Sequence, residues 1–124
     1  MTAPNIVNVQ SITGTTSTVA LSTTSITSLV SNAASRNQVL KINNVIVSNT
    51  NGTNACNFTL SYCSAASAGG TASPMASTVS IPANASLIAL DKSTQIYLPE
   101  NTSLGVTAGT ASVLTVTVSY EIIS

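Results

Sequence analysis

The chain has 124 residues and a mass of 12.5 kDa, with three basic residues, three acidic residues, no His and no Trp. That length gives one domain, the missing His removes the commonest general acid/base and metal ligand, and three cations cannot assemble a phosphate-binding stripe. Ser and Thr supply 39 residues, Asn 12, and Val, Ile, Leu and Phe 32, which is too much branched apolar content for a disordered tract and enough for an aliphatic core.

The start, Met1-Thr2-Ala3-Pro4-Asn5, has no basic n-region and no apolar h-region, so no secretory leader is expected there. The longest apolar run, Leu87-Ile88-Ala89-Leu90, is too short to span a bilayer, and no membrane partner is expected. Ser and Thr dominate residues 11–37. Thr18 to Leu21 and Ile26 to Val30 read as weak strands, and the whole stretch 1–37 reads as an arm that orders against a neighbouring subunit, ahead of a sandwich core over 38–124. From Val39 to Ser48, Leu40 and Ile42 share a face, Asn43-Asn44 interrupts, and Val45-Ile46-Val47 is apolar throughout; this predicts a bulge or a central, doubly covered strand. Asn49-Thr50-Asn51-Gly52 predicts a hairpin turn. Next, Cys56, Phe58, Leu60 and Tyr62 alternate with Asn57, Thr59 and Ser61. Residues 64–73, with Gly69-Gly70 inside, read as a small-residue loop and the most mobile part of the chain.

Alternation returns with Met75, Ser77, Val79 and Ile81 on one face and Ala76, Thr78 and Ser80 on the other. Asp91-Lys92-Ser93 and Ala108-Gly109-Thr110-Ala111 predict two more turns. The final strand puts Leu114, Val116, Val118, Tyr120 and Ile122 inward and Thr115, Thr117, Ser119 and Glu121 outward. The fold class is therefore all-β: an antiparallel β-sandwich or jelly roll of about eight to ten short strands. One echo runs through the second half. Ile81-Pro82-Ala83-Asn84-Ala85-Ser86-Leu87 and Leu98-Pro99-Glu100-Asn101-Thr102-Ser103-Leu104 share the pattern apolar-Pro-x-Asn-x-Ser-Leu, seventeen residues apart. Pro ends a strand and presets φ, and Asn tolerates the left-handed region. Two such turns, separated by two strands, are expected at the same end of the sheet stack; they read mainly as one good turn used twice.

No constellation of reactive groups emerges. Cys56 and Cys63 lie seven residues apart on one strand, which places them on opposite faces and roughly 23 Å apart at ~3.3 Å per residue. They are expected to be free thiols, Cys56 filling core volume and Cys63 near the strand end. Zinc would need further ligands. Asp91 and Lys92 share a turn, Glu121 sits on a wet face, and no carboxylate pair shares a segment with Glu100. No enzyme, catalytic residue, metal, cofactor, small-molecule substrate or nucleic-acid partner is expected. Sequons occur at Asn51, Asn57, Asn84 and Asn101, but in a chain this rich in Asn, Ser and Thr chance alone gives about four.

The exterior carries Thr, Ser and Asn where Lys and Glu are usual. Edge charge and net charge, the ordinary guards against sheet-to-sheet association, are both missing. A homo-oligomer or lattice-bound subunit is expected. The segments Leu40-Lys41-Ile42-Asn43-Asn44-Val45, Ile81 through Leu87, Leu90-Asp91-Lys92, Ile96-Tyr97-Leu98-Pro99-Glu100 and Val116-Thr117-Val118-Ser119-Tyr120-Glu121 resemble small β-sandwich virion proteins of tailed double-stranded DNA phages, cyanophages included. The resemblance covers about residues 40–124. It implies a structural role in the virion, with synthesis in a host cytoplasm and the major capsid protein as a partner. That role is first a capsid decoration (cement) protein, alternatively a tail, collar or baseplate component. A carbohydrate-binding or adhesin module is the third reading, weakened by the scarcity of aromatics and resting on Tyr97 alone. Candidate contact residues are Pro82 and Asn84, Pro99 and Asn101, Gly69 and Gly70, together with the N-terminal arm.

Overall fold

The computed structural model describes residues 8–124. These form nine strands: β1 (Ile12–Leu21), β2 (Thr27–Asn32), β3 (Val39–Asn49), β4 (Cys56–Ala65), β5 (Gly69–Ile81), β6 (Ser86–Leu90), β7 (Ile96–Leu98), β8 (Thr102–Ala108) and β9 (Leu114–Ile123). One sheet runs β1-β9-β3-β6 with β7 also on β3; the other runs β2-β8-β4-β5. Every pairing is antiparallel. β6 pairs with the second half of β3 and β7 with its first half, so the two are one edge strand broken by residues 91–95. Counted that way, four strands face four in the order of a jelly roll, and the expected sandwich is borne out.

The apolar faces close on each other. Ile42, Val45, Val47, Val116 and Val118 from the first sheet meet Phe58, Leu60, Leu104 and Val106 from the second, all fully buried. Each such aliphatic side chain contributes about 1.5–3 kcal/mol. The expected alternation of β9 is borne out, with Tyr120 and Ile122 packed half-buried at the core margin. So is the bulge in β3, where the register against β9 skips Asn43. β3 is central but covered on one side only, because Ile46 is exposed.

Several expectations need correction. Residues 1–37 contribute two integral strands: β1 pairs with β9 and β2 with β8, and Leu21, Leu29 and Val30 enter the core. Met1 to Val7 lie outside the described residues. Asn49–Gly52 and Ala108–Ala111 are not hairpins, because each passes the chain from one sheet to the other. Asp91-Lys92-Ser93 does not reverse the chain; it is an excursion within an edge strand. Residues 64–73 are not a loop but the two arms of the β4–β5 hairpin, closed by residues 66–68 with Ser67 and Ala68 at φ 58° each. The alternation expected for 75–81 breaks at Thr78, whose φ of 51° inserts a bulge; Ala76 turns inward and Met75 is exposed. Three edges are interrupted after all, by Pro74 and bulges on β5, by the break between β6 and β7 and by the register shift in β2.

Candidate interaction site

The echoed turns lie at opposite ends of the sandwich, not at the same end. The first joins β5 to β6 beside the close of β3, and the second joins β7 to β8 beside the close of β2. The sequence expectation failed because β6 and β7 do not reverse. The chain enters at one end and leaves at the other.

Each turn is held by a buried Asn that sequence reasoning missed. Asn49, closing β3 and 1% exposed, donates through Nδ2 to the carbonyls of Ile81 (2.9 Å), Pro82 (3.2 Å) and Asn54 (3.1 Å), and its Oδ1 accepts from the Asn51 amide (2.9 Å). Asn32, closing β2 and fully buried, donates to the carbonyls of Leu98 and Gln38, both at 2.9 Å. Asn32 and Asn49 are themselves seventeen residues apart, as are Leu98 and Ile81. The echo is therefore a local pseudo-two-fold in which a strand-ending Asn fastens the carbonyl ahead of a Pro. Each Asn lies far from the turn it holds, 32 residues for Asn49 and Ile81 and 66 for Asn32 and Leu98, so the seventeen-residue offset alone does not reveal the pairing.

The proposed contact residues fall into this frame. Asn84 and Asn101 take φ of 58° and 59°, as expected of the left-handed position. The Asn84 amide donates to Asn51 O (3.1 Å) and the Asn101 amide to Asn32 O (2.7 Å), while Pro82 and Pro99 are exposed on the two end surfaces. Pro99, Asn101, Gly69 and Gly70 share one end, because Asn101 Oδ1 accepts from the Ala66 amide at the hairpin tip (3.3 Å). Pro82 and Asn84 are at the other, so the six do not form one surface. Gly70 has a backbone reason: at φ 70°, an added Cβ would collide with Ser64 Oγ. The tip is further tied by Ser103, whose Oγ accepts from Ala68 N (2.8 Å) and donates to Ala65 O (2.7 Å). Glu100, read as a turn carboxylate, is only 4% exposed and accepts the Asn37 amide (2.8 Å), fixing the β2–β3 loop where Asn37 has φ 55°.

The exterior of the first sheet is hydroxyl-rich: Thr16 and Thr18 on β1, Thr115, Thr117 and Ser119 on β9, Ser48 on β3 and Ser86 on β6. Ile46 and Ile88 pair across strands on this face, and Tyr97, 45% exposed, stands opposite Lys41. Glu121 accepts from Asn43 Nδ2 there (2.9 Å). In the excursion beside this edge, the Ser93 hydroxyl and amide hold the Asp91 carboxylate below its ordinary 3.8, with Thr94 adding a smaller contribution. A depressed folded-state value stabilises the fold above the unfolded value, and the benefit is lost as pH falls through the folded one. Asp91→Asn should therefore lower stability slightly at neutral pH and be indistinguishable from wild type once both Asp91 forms are protonated. Paired denaturation curves at the two pH values measure this.

Both cysteines are free, and Cys56 is buried as expected; Cys63, expected only near the strand end, is fully buried as well. Cys56 belongs to the core, whereas Cys63 lies on the outer side of the second sheet. There Gly105 leaves room for Ile26: a Cβ on Gly105 would come within 2.7 Å of Ile26 Cδ1 and 3.1 Å of Cys63 Sγ. Ile26 thus roofs the thiol. Ile26→Ala should speed labelling of Cys63 by a neutral thiol reagent and leave Cys56 at its wild-type rate. Equal rates at both sites would mean that global unfolding, not the Ile26 roof, controls access.

Among the described residues no cavity and no group of three metal-ligating side chains is found. Comparison with family models, with curated proteins and with solved structures returns no match.

Proposed function

We propose that this chain is a structural subunit of a tailed-phage virion, foremost a decoration (cement) protein that many copies use to brace the head lattice. Its partners in this reading are the major capsid protein and further copies of itself. The observation that carries it is the exterior. A wide sheet face of hydroxyls, with the apolar pair Ile46 and Ile88 set in it, offers contact without charge repulsion. The jelly roll supports the reading because capsid proteins use it often, although fold alone does not assign function. The segments of 40–124 that resemble phage virion sandwiches add to it. Small contacts repeated over many copies supply strength that no single one has.

Quantitative mass spectrometry of purified particles tests this. Hundreds of copies per virion support a head or tail-tube position; a dozen or fewer move the chain to a collar or baseplate; absence from particles ends the proposal. One observation favours a second reading. Tyr97 presents an exposed ring opposite Lys41 on the outer face, of the kind on which a sugar can stack, and lectins also use this fold. Glycan binding abolished by Tyr97→Ala would establish it.

A further inference from the structure

The sandwich has four edges, formed by β1, by β6 with β7, by β2 and by β5. Three are interrupted. The β6–β7 edge is broken by an excursion carrying Asp91 and Lys92. The short β2 has a register shift between Ser28 and Val30. β5 contains Pro74, the positive-φ Thr78 and several register shifts. β1 has none of these features. Its ten residues keep unbroken register with β9, from Ile12 opposite Ile123 to Leu21 opposite Leu114, with no charge, no Pro and no positive φ.

The phase of its hydrogen bonds follows from two contacts. Ser11 N donates to Ser124 O and Ser124 N to Ser11 O, both at 3.0 Å. That reciprocal pair turns the N–H and C=O of Ser11 toward β9, and alternation does the same for Thr13, Thr15, Ser17, Val19 and Leu21. Leu21 O keeps the phase by accepting from Ser112 N (2.8 Å). The N–H and C=O groups of Ile12, Gly14, Thr16, Thr18 and Ala20 therefore point away from the sheet, and among the described residues no backbone group bonds to them. An open row of this kind is a template for another strand.

We propose that this row pairs with β1 of a second copy of the chain, antiparallel about a two-fold axis at Thr16. The sequence makes the edge self-complementary. With Thr16 opposite Thr16, Ile12 meets Ala20 of the second copy and Gly14 meets its Thr18, so every outward residue faces an outward residue. Each matched pair exchanges both bonds. Absence of charge removes repulsion between like edges, and Ile12, 55% exposed, gains an apolar neighbour. The first sheets of the two copies then become one continuous sheet with one continuous hydroxyl face. The proposal rests on the reading of the chain as a self-associating subunit and names the surface it uses.

Sedimentation of the full chain over a range of concentrations, with residue-resolved amide exchange, tests it. Wild type should dimerise reversibly, and the Gly14, Thr16 and Thr18 amides should exchange fast when dilute and slowly when concentrated. Thr16→Pro removes an outward N–H and no backbone bond to β9, only the long, exposed hydroxyl contact to Ser119 Oγ (3.5 Å), so it should weaken the dimer by at least about tenfold and keep the monomer's fold. Ser17→Pro removes a bond to β9 and should destabilise the monomer instead. If Thr16→Pro fails to fold, Thr16→Lys sets like charges face to face across the axis and should weaken association similarly, with relief by salt. A chain that stays monomeric at every concentration overturns both the interface and the self-association reading. A dimer untouched by Thr16→Pro and Thr16→Lys overturns the interface alone. Protection of the three amides that does not change with concentration overturns it too, and points to cover from within the same chain.

Discussion

Asn49→Ala should lower the free energy of unfolding by about 3 kcal/mol or more. Its amide bonds three carbonyls, on Asn54, Ile81 and Pro82, and its carbonyl receives the Asn51 amide. Removing it strands these partners at a buried site, and each stranded group costs about 1–3 kcal/mol, less where water can enter. For a domain of this size every kcal/mol is worth about 4–8 °C in Tm, so the effect is visible by calorimetry as well as by urea titration. Asn49→Asp separates shape from hydrogen bonding: it keeps the volume and the acceptor but aims an oxygen at three carbonyls, and should be no better than Ala. Asn32→Ala should cost less, since Asn32 fastens two carbonyls and its Oδ1 accepts only the side-chain amide of Gln38, at 3.3 Å. A loss under about 1 kcal/mol at Asn49 would mean that the loops close without their clamp.

These clamps mark where the sequence was legible and where it was not. Strand content and the inward faces of β4 and β9 follow from strict alternation, because Cys56, Phe58, Leu60 and Leu114, Val116, Val118 repeat every second residue. Alternation says nothing about which sheet a strand joins. The Asn-Gly at 51–52 looks like a hairpin, yet the chain there crosses between sheets. Asn51 Oδ1 accepts the amides of Thr53 (2.8 Å) and Asn54 (3.1 Å), and the turn needs no positive φ. The phase slip at Thr78 is equally silent in a run of small residues. β1 carries a weak signal for a related reason. Its inner face is polar at Thr15 and Ser17, and only Val19 and Leu21 carry a core signal. For the candidate site, the exposed Pro and Asn positions were legible as turns, whereas their distribution over two ends depended on β6 and β7 sharing one direction, a long-range fact.

Phe58→Ala should be at least as damaging, at about 3–5 kcal/mol. Phe58 is the only Phe and is fully buried on β4, between Ala108 of β8 and Val79 of β5. Ala108 adds no volume to fill a gap, and the facing core is rich in Val, whose branched side chains are stiff at χ1 and cannot swing inward. The cavity would therefore persist and carry its full cost. Phe58→Leu keeps most of the volume and should cost about 1.5 kcal/mol or less. Thiol labelling gives an independent reading of the same variant. Since a small domain holds only about 5–15 kcal/mol in all, Phe58→Ala should raise the open population by more than a hundredfold, and labelling of Cys56 and Cys63 should rise together. Acceleration at Cys56 alone would show a local opening at the start of β4, and the cooperative core argued for Phe58 would have to be abandoned.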